Sequence, residues 1–313
     1  MQVDENTMYI YYCTNQNAYN VTDYVGFRQA TKGADGKWTW SAESIVLSPT
    51  SGTWDSRHVC DPSVVMGNFT YNGEQYSYLM AYLGCDTSDN QENEIGLAVA
   101  KSPSGPFVKV GTDAFIGYER DTTVDQSIFQ WGVGQASLIN MNKQGEIMIF
   151  YTLGAPSGTH TMVEKWDLSD LNTPQKMTET VKLSETGLKT LTGKQDIINN
   201  ASFVYDAESK RFYASSDCHP NPSDAPDFIS SDFRVTYFND TGDFSKVTWR
   251  ELCTIGADET GFARNHNTGI LRDGYGHLAN DYISVYYSVS NTGTGNNSLW
   301  TYRIYDFHIA KAK

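Results

Sequence analysis

The sequence has no long apolar run. No stretch approaches the roughly 20 apolar residues that a membrane-spanning helix needs, and the opening residues Met1–Asp4 do not begin a signal peptide. We therefore expect no membrane anchor. The chain is either cytosolic or the mature part of a secreted protein, and both interpretations stay open at this point.

Positive charge is scarce. The 313 residues include 23 Lys and Arg against 37 Asp and Glu, which gives a formal net charge of -14. Nucleic acids and anionic lipid surfaces bind proteins through clustered Lys and Arg, which release counterions. The composition therefore predicts neither a nucleic-acid partner nor a membrane partner.

The five cysteines form no CxxC pair, so the sequence gives little support for a structural zinc site. Asn72-Gly73 is the residue pair favoured in two-residue hairpin turns, and apolar strands flank it. A tight turn there would place Cys60 opposite Cys85. We expect either a cross-strand disulfide, which would suit an oxidising compartment, or two neighbouring buried thiols.

Helical periodicity is almost absent, and short apolar strands alternate with Gly, Asn and Asp turns. The pattern repeats: an opening strand, a polar turn, an aromatic strand and then a third strand. The opening strands are Asp61–Val65, Gln135–Ile139, Asn200–Val204 and Asn267–Leu271. The first copy has only an aromatic strand, Met8–Tyr12, and the strand after it, Val25–Ala30.

Five copies of about 65–75 residues match small antiparallel sheets arranged around an axis. The predicted fold is all-β, a single five-bladed β-propeller domain over residues 1–313. A β-sandwich is the alternative, since short strands with turn signals also fit it. The first blade lacks an opening strand of its own, so either the C-terminal segment closes the ring or that strand precedes residue 1.

In such a blade the innermost strand begins, and the second strand ends, on the same face of the disc. Residues that open the innermost strands should therefore converge around the axis, and all are polar. They are Asp61, Gln135, Asn200 and Asn267, with His266 adjacent. Aromatic residues such as Trp54 and Trp131 surround this predicted funnel, which suits a neutral sugar. The alternative is that these side chains bind ordered water in a central channel.

Three motifs resemble those of the five-bladed glycoside hydrolases, and of family 43 in particular. They are Asp61–Val64, the segment Glu94–Phe107, and His266-Asn267 before Leu271–Gly274. The resemblance covers all five repeats. It implies an inverting hydrolase of plant-type polysaccharides, often secreted, with calcium near the axis held in part by a last-blade histidine. His266 matches that histidine.

An inverting glycosidase needs one carboxylate that activates water and one carboxylic acid that protonates the leaving oxygen, and a third carboxylate often raises the pKa of that acid. In family 43 all three lie on opening strands: the base in blade one, the acid in blade three and the third carboxylate in blade two. The resemblance places Asp61 at the blade-two position. It places Gln135 at the position of the acid, where an amide cannot donate this proton, and the blade-one base before residue 1.

Three explanations are compatible with an enzyme despite the amide at Gln135 and the missing blade-one base. The blade count is offset, so that Asp61 is the base. A loop supplies the acid, with Glu94, Asp125 and Asp196 as candidates, although Asp125 also fits a solvated turn. A histidine acts instead, and the candidates are His58, His160, His219 and His266.

Two arginines lie near the predicted axis. Arg57 precedes Asp61 by four residues, and Arg264 precedes His266 by two. Each could donate paired hydrogen bonds to sugar hydroxyls or to a uronate carboxylate. The alternative is that they neutralise Asp55 or Asp61, which we favour for Arg57.

Together these observations predict a carbohydrate-active protein, a secreted monomeric glycoside hydrolase of a plant or microbial polysaccharide or oligosaccharide. The predicted catalytic residues are Asp61, Asp125 and Glu94. The predicted ligand-binding residues are Trp54, Arg57, Trp131, Gln135, Asn200, Arg264 and Asn267, and His266 is the predicted calcium ligand. Because Gln135 is an amide and the first-blade carboxylate is missing, the alternative is a non-catalytic propeller that binds glycan or a protein partner.

Overall fold

The computed structural model describes residues 1–15, 22–293 and 303–313. Nearly all of its regular structure is β-strand, in five antiparallel sheets arranged as a five-bladed β-propeller. The predicted fold class is confirmed. Helix α1 spans Ala257–Thr260, and none of the helical residues described forms a segment with the length and apolar character needed to cross a bilayer.

The chain forms two compact units, and the first consists of Met1–Thr180 with Asp273–Gly276. Its first sheet has the order β1 (Gln2–Asp4), β2 (Thr7–Asn15), β3 (Asp23–Lys32) and β4 (Trp38–Trp40), and β5 (Ser44–Leu47) also pairs with β3. The second sheet has the order β6 (His58–Tyr71), β7 (Glu74–Cys85), β8 (Glu94–Ala100) and β9 (Val108–Lys109). The third has the order β10 (Gly132–Asn140), β11 (Glu146–Ala155), β12 (Gly158–Asp167) and β13 (Gln175–Lys176).

The second unit consists of Val181–Arg272 and His277–Lys313 and begins with β14 (Val181–Lys182). The fourth sheet has the order β15 (Ser202–Asp206), β16 (Arg211–Asp217), β17 (Phe233–Asn239) and β18 (Arg250–Ile255). The fifth has the order β19 (Arg264–Ile270), β20 (Tyr282–Ser290) and β21 (Arg303–Ala310). Every opening and aromatic strand expected from the repeats is a strand in these sheets.

A three-residue strand, β1, lies at the inner edge of the first sheet, where the repeat pattern indicates no opening strand in the first copy and leaves that place to the C-terminal segment or to a strand before residue 1. It pairs antiparallel with β2, and Gln2 lies opposite Met8. Three residues are too few to produce a recognisable apolar alternation, which explains why the pattern does not indicate this strand.

Middle strands are buried on both faces, because successive side chains of a strand point to opposite sides. In β7, Leu79 and Ala81 belong to one hydrophobic core, whereas Met80 and Tyr82 belong to another. A strand with two buried faces needs an unbroken apolar run, and that is what the aromatic strands supply. In the second unit, residues of both sheets form one shared core.

Two β-bulges overturn the predicted pairing of Cys60 with Cys85. Next to the turn the strands pair as Asn72-Gly73 predicts, but each bulge in β6 shifts the register by one residue. Cys60 therefore lies opposite Leu83, and Cys85 lies opposite His58. Bulges of this kind leave no clear mark in a hydrophobic pattern.

Cys60 forms a disulfide with Cys13 of β2, across a sequence separation of 47 residues and with the Cα atoms 5.0 Å apart. The bond joins the second strand of the first sheet to the inner strand of the second sheet. Cys85 and Cys218 are buried free thiols, and Cys253 is a partly exposed one. The protein therefore contains a disulfide, but Cys60 is joined to Cys13 and not to Cys85, the partner that the turn predicted.

Replacing both Cys13 and Cys60 by Ser is expected to lower the free energy of unfolding by about 4 kcal/mol, since the bond restricts the unfolded chain over a loop of this size. Urea unfolding measures the change. Cys253→Ser is the control and should have a much smaller effect. Peptide mapping without reduction that found Cys60 joined to Cys85 would contradict the structure.

Candidate functional site

A polar residue with left-handed backbone geometry lies near the start of four of the five inner strands. The φ angles of Asp61, Gln135, Asn200 and Asn267 are 46°, 53°, 48° and 50°. Three of these residues lie at bulges, and Asn200 lies just before β15. Non-glycine residues seldom adopt this conformation, and those that do cluster at functional sites. The four positions are therefore equivalent in their sheets, as the repeats predicted.

In the second unit, polar groups from β16 and from the openings of β15 and β19 come together. Nδ2 of Asn200 donates a hydrogen bond to Oδ1 of Asn267 at 2.8 Å. The backbone N–H of Asn267 donates to Oδ1 of Asp217 at 3.2 Å, and the Asn200 side chain also hydrogen-bonds to Asp217. The structure thus brings together two predicted ligand-binding residues and adds Asp217, the last residue of β16, to them.

The Asp217 carboxyl has an unusually high pKa. Burial raises the pKa to about 7, although the hydrogen bond from Asn267 and the charges of His219 and Arg234 act in the opposite direction. A carboxyl of this kind is partly protonated at neutral pH and can transfer a proton in either direction. Its neighbour Cys218 is buried and its pKa is raised to about 12, so this thiol stays neutral and is not a nucleophile.

In the first unit, Asp61 lies against the disulfide. Its backbone N–H donates to Sγ of Cys13 at 3.0 Å, and its Oδ1 lies 3.5 Å from each of the two sulfur atoms. Burial, with a smaller effect from the charge of Asp23, raises the pKa of Asp61 to about 6. Asp23 in turn lies 3.1 Å from Nδ1 of His58. Asp23 is thus a second carboxylate near Asp61, and no motif in the sequence marks it.

The two other predicted catalytic acids differ from each other. Glu94 opens β8, burial raises its pKa, and its Oε1 accepts a hydrogen bond from the N–H of Tyr118 at 3.0 Å. Asp125 lies in an exposed turn, where its Oδ1 accepts a hydrogen bond from the N–H of Ser127 at 2.9 Å, and this bond lowers its pKa. Asp125 has the features of a solvated turn residue, whereas Glu94 keeps those of a proton donor.

Both predicted aromatic residues pack over glycines. Trp54 stacks on Tyr82 with ring centroids 5.8 Å apart, and a Cβ on Gly84 would lie 2.5 Å from the Trp54 ring. A Cβ on Gly134 would lie 2.8 Å from the ring of Trp131. The glycines therefore let the indoles approach the sheets closely, and both tryptophans stay partly exposed, which sugar stacking requires.

Gln135 is an amide where the resemblance places the acid. Its Oε1 is buried and accepts no hydrogen bond from any described residue. A buried carbonyl oxygen without a donor is costly, and a ligand hydroxyl would satisfy it. An ordered water would satisfy it equally, so the ligand-binding role of Gln135 stays a prediction.

The two arginines have different surroundings. Asp55 has Lys109 as an ionic partner, with Nζ 2.5 Å from Oδ2, and the favoured pairing of Arg57 with Asp55 or Asp61 stays a prediction. Arg264 is buried, and its Nη2 lies 3.0 Å from Oδ1 of Asp224. The Arg264 guanidinium also donates to three backbone carbonyls, those of Ala263, Asp224 and Pro226. It therefore holds the 224–226 segment, and its ionic partner is neither Asp55 nor Asp61.

His266 is buried, and burial lowers its pKa to about 4, so the imidazole is neutral at neutral pH. A neutral imidazole can bind a metal ion, but calcium takes six to eight oxygen ligands. Among the described residues, one group of three His, Cys, Asp or Glu side chains has the spacing of metal ligands. It consists of Cys13, Cys60 and Asp61, and the two sulfur atoms of this group form the disulfide. His266 belongs to no such group among the described residues, and a single imidazole nitrogen fits calcium poorly.

No protein-family profile matches the sequence, and no curated protein matches it. Solved structures match it along its length.

A thermostable family-43 glycoside hydrolase matches with a TM-score of 0.58 at 14% identity, over 98% of this chain and 87% of that chain. An endo-arabinase from Bacteroides thetaiotaomicron matches with a TM-score of 0.57 at 13% identity, over 100% and 92% of the two chains. An exo-β-1,3-galactanase from Phanerochaete chrysosporium, bound to β-1,3-galactotriose, matches at 0.58 and 13%, over 98% of this chain and 58% of that chain. At these identities the likeness shows the fold that the chain shares with glycoside hydrolases, a five-bladed β-propeller.

Proposed function

We propose that this protein hydrolyses glycosidic bonds in an oligosaccharide or polysaccharide. The observation that carries the proposal is the Asp217 carboxyl, whose pKa is raised to about 7 and which Asn200 and Asn267 hydrogen-bond. A general acid works best when its pKa lies near the working pH. Side-chain amides both donate to and accept from sugar hydroxyls.

In this proposal Asp217 is the proton donor. As the bond between the anomeric carbon and the leaving oxygen breaks, that oxygen takes the Asp217 proton, and a water oxygen bonds to the anomeric carbon. Asp61 remains a predicted catalytic residue because of the family resemblance and its raised pKa of about 6. Inversion at the anomeric carbon is the expected outcome, and proton NMR of the first product formed would report it.

We also propose that the protein is secreted and binds a glycan. The disulfide between Cys13 and Cys60 supports a secreted or extracellular protein, since such bonds persist in oxidising compartments. The partner is a plant or microbial glycan, in keeping with the fold shared with an endo-arabinase and an exo-β-1,3-galactanase. The protein acts as a monomer.

Gln135 favours a second candidate, a non-catalytic propeller that binds glycan. Its buried Oε1 needs a donor, which a sugar hydroxyl supplies, but the amide cannot protonate a leaving group. Under this candidate Asn200, Gln135 and Asn267 bind sugar, and no bond is cleaved.

Hydrolysis of arabinan, xylan, galactan and aryl glycosides tests the two candidates. Asp217→Asn is expected to lower kcat on polysaccharide by about 10²- to 10⁴-fold with little change in KM, because the amide keeps the hydrogen bonds and loses the proton. Asp61→Asn and Glu94→Gln test the other acids. Glu179→Gln, on an exposed loop, is the control.

Reducing-sugar release and calorimetric titration separate the outcomes. Turnover that is lost in Asp217→Asn supports hydrolysis. Sugar binding without turnover by the wild-type protein supports the second candidate, and neither binding nor turnover on the whole panel rejects both.

A stability measurement tests the Asp217 environment without substrate. The pKa of Asp217 is raised from 3.8 to about 7, so this group contributes stability below about pH 4 that is lost as the pH rises through about 7. The melting temperature of Asp217→Asn relative to wild type should therefore increase between these two values and stay constant above them. Glu179→Gln should show no such increase, and a flat difference for Asp217→Asn would contradict the raised pKa.

Chelation tests the calcium that the resemblance implies. Because one neutral imidazole is a poor donor set for calcium, we expect a chelator to leave the melting temperature unchanged. A decrease that His266→Ala abolishes would instead establish a metal at this residue.

A further inference from the structure

A buried carboxylate, Asp196, connects Arg234 of β17 to His219, two residues beyond the end of β16. Oδ2 of Asp196 accepts a hydrogen bond from Nη2 of Arg234. Oδ1 lies 2.9 Å from Nδ1 of His219 and accepts the N–H of Ile197 at 2.9 Å. The side chains of Arg234 and Asp196 are 1% and 2% exposed, whereas that of His219 is 24% exposed. A buried ion pair thus ends in an accessible imidazole.

Asp196 is held in its ionised form. Burial alone would raise its pKa, but the hydrogen bond from His219 and the charge of Arg234 outweigh burial and lower it. An arginine stays charged even when it is buried, so the carboxylate keeps a permanent counter-ion. The guanidinium is fixed as well, because it donates to the carbonyls of Lys189 at 2.6 Å and Ile197 at 3.2 Å.

The charge on Asp196 determines which nitrogen of His219 carries the proton. An ionised carboxylate only accepts hydrogen bonds, so Nδ1 of His219 is the donor, and Nε2 of the neutral ring keeps its lone pair. No described residue hydrogen-bonds to Nε2, which leaves this nitrogen open. Asp217, the carboxyl with the raised pKa, precedes His219 by two residues.

The segment before β15 holds this arrangement in place through its backbone. The N–H of Asp196 donates to the carbonyl of Leu188 at 3.3 Å, and the N–H of Leu191 donates to the carbonyl of His219 at 2.9 Å. Backbone hydrogen bonds of this segment therefore fix Asp196, which belongs to it, and also His219. Such pre-organisation is what a group that must meet a substrate at a fixed distance requires.

The other histidine–carboxylate pairs lack these features. His308 and Asp306 are 57% and 51% exposed, so water surrounds their contact. Nδ1 of His58 lies 3.1 Å from Oδ2 of Asp23 but also accepts the N–H of Asp23 at 3.2 Å, so that backbone N–H competes for the same nitrogen. His219, by contrast, is paired with a carboxylate that a buried arginine holds ionised.

We propose that His219 is the general base of the reaction proposed above, on which this inference rests, and that Asp196 and Arg234 are positioning residues. Nε2 takes a proton from water while the water oxygen forms its bond to the anomeric carbon. The glycosidic C–O bond breaks, and the leaving oxygen takes the proton of Asp217. One water is consumed, His219 ends protonated and Asp217 ionised, and exchange with solvent restores both groups. Both inner-strand positions in this unit, Asn200 and Asn267, are amides, so a histidine supplies the base that they cannot.

Variants of these residues test the assignment on the substrate that the wild-type protein cleaves. His219→Ala is expected to lower kcat by about 10²- to 10⁴-fold with KM little changed, because the water loses its base. Azide should restore part of the rate and yield a glycosyl azide, since this anion attacks without giving up a proton. Asp196→Asn should lower kcat at least about tenfold without rescue by azide, because the imidazole is still in place but wrongly oriented. His308→Gln, in the exposed pair, is the control and should retain full activity.

A spectroscopic measurement separates positioning from structural loss. In the wild-type protein the Nδ1–H of His219 should give a slowly exchanging, downfield proton resonance coupled to Nδ1. It should be absent in Asp196→Asn and kept in Arg234→Lys, which retains the positive charge. Absence of the resonance in the wild-type protein, or its persistence in folded Asp196→Asn, would overturn the positioning role.

Failure of the base assignment and failure of the proposed function give different results. If the wild-type protein cleaves glycan and His219→Ala does so at the same rate, the base assignment is wrong and the proposed function stands. If the wild-type protein cleaves no member of the panel, both are wrong.

Discussion

Sheets that are buried on both faces leave polar side chains little room except at the ends of strands. Burying a polar group without a partner costs several kcal/mol, so the central stretches of strands such as β7 are apolar on both sides. The polar residues that open the inner strands lie where the ladder is interrupted by a bulge or has not yet begun. A left-handed backbone at Asp61, Gln135, Asn200 and Asn267 makes each of these interruptions. The polar residues of the inner strands therefore lie at these interruptions, where the packing leaves room for them.

The ion pair between Arg234 and Asp196 is an exception to this rule. Arg234 lies within a sheet, opposite Ser216, and is almost wholly buried. A buried charge persists only with a well-placed counter-ion and further hydrogen bonds, and Asp196 and two backbone carbonyls supply them. Stability and orientation are coupled here, because the carboxylate that neutralises Arg234 is also the one that directs His219.

Much of the architecture could be predicted from the sequence, because it rests on local patterns. The apolar aromatic strands, such as Tyr78–Tyr82, recur with turns between them, and this was enough to indicate five sheets. The partner of Cys60 could not be predicted, since two bulges in β6 move the register and the true partner, Cys13, lies in another sheet. The Arg234–Asp196–His219 contacts could not be predicted either, because they join three segments that are distant in sequence, and no motif marks Asp23 beside Asp61. The polar inner-strand positions could be predicted because each repeats the same place in its sheet.

Titration of the Asp217 carboxyl by carbon-13 NMR tests the central claim most directly. Assignment comes from the signal that disappears in Asp217→Asn. A pKa of about 7 is predicted, because burial outweighs the hydrogen bonds and charges around the group. Titration near the ordinary value of 3.8 would contradict the claim that this residue supplies a proton at neutral pH.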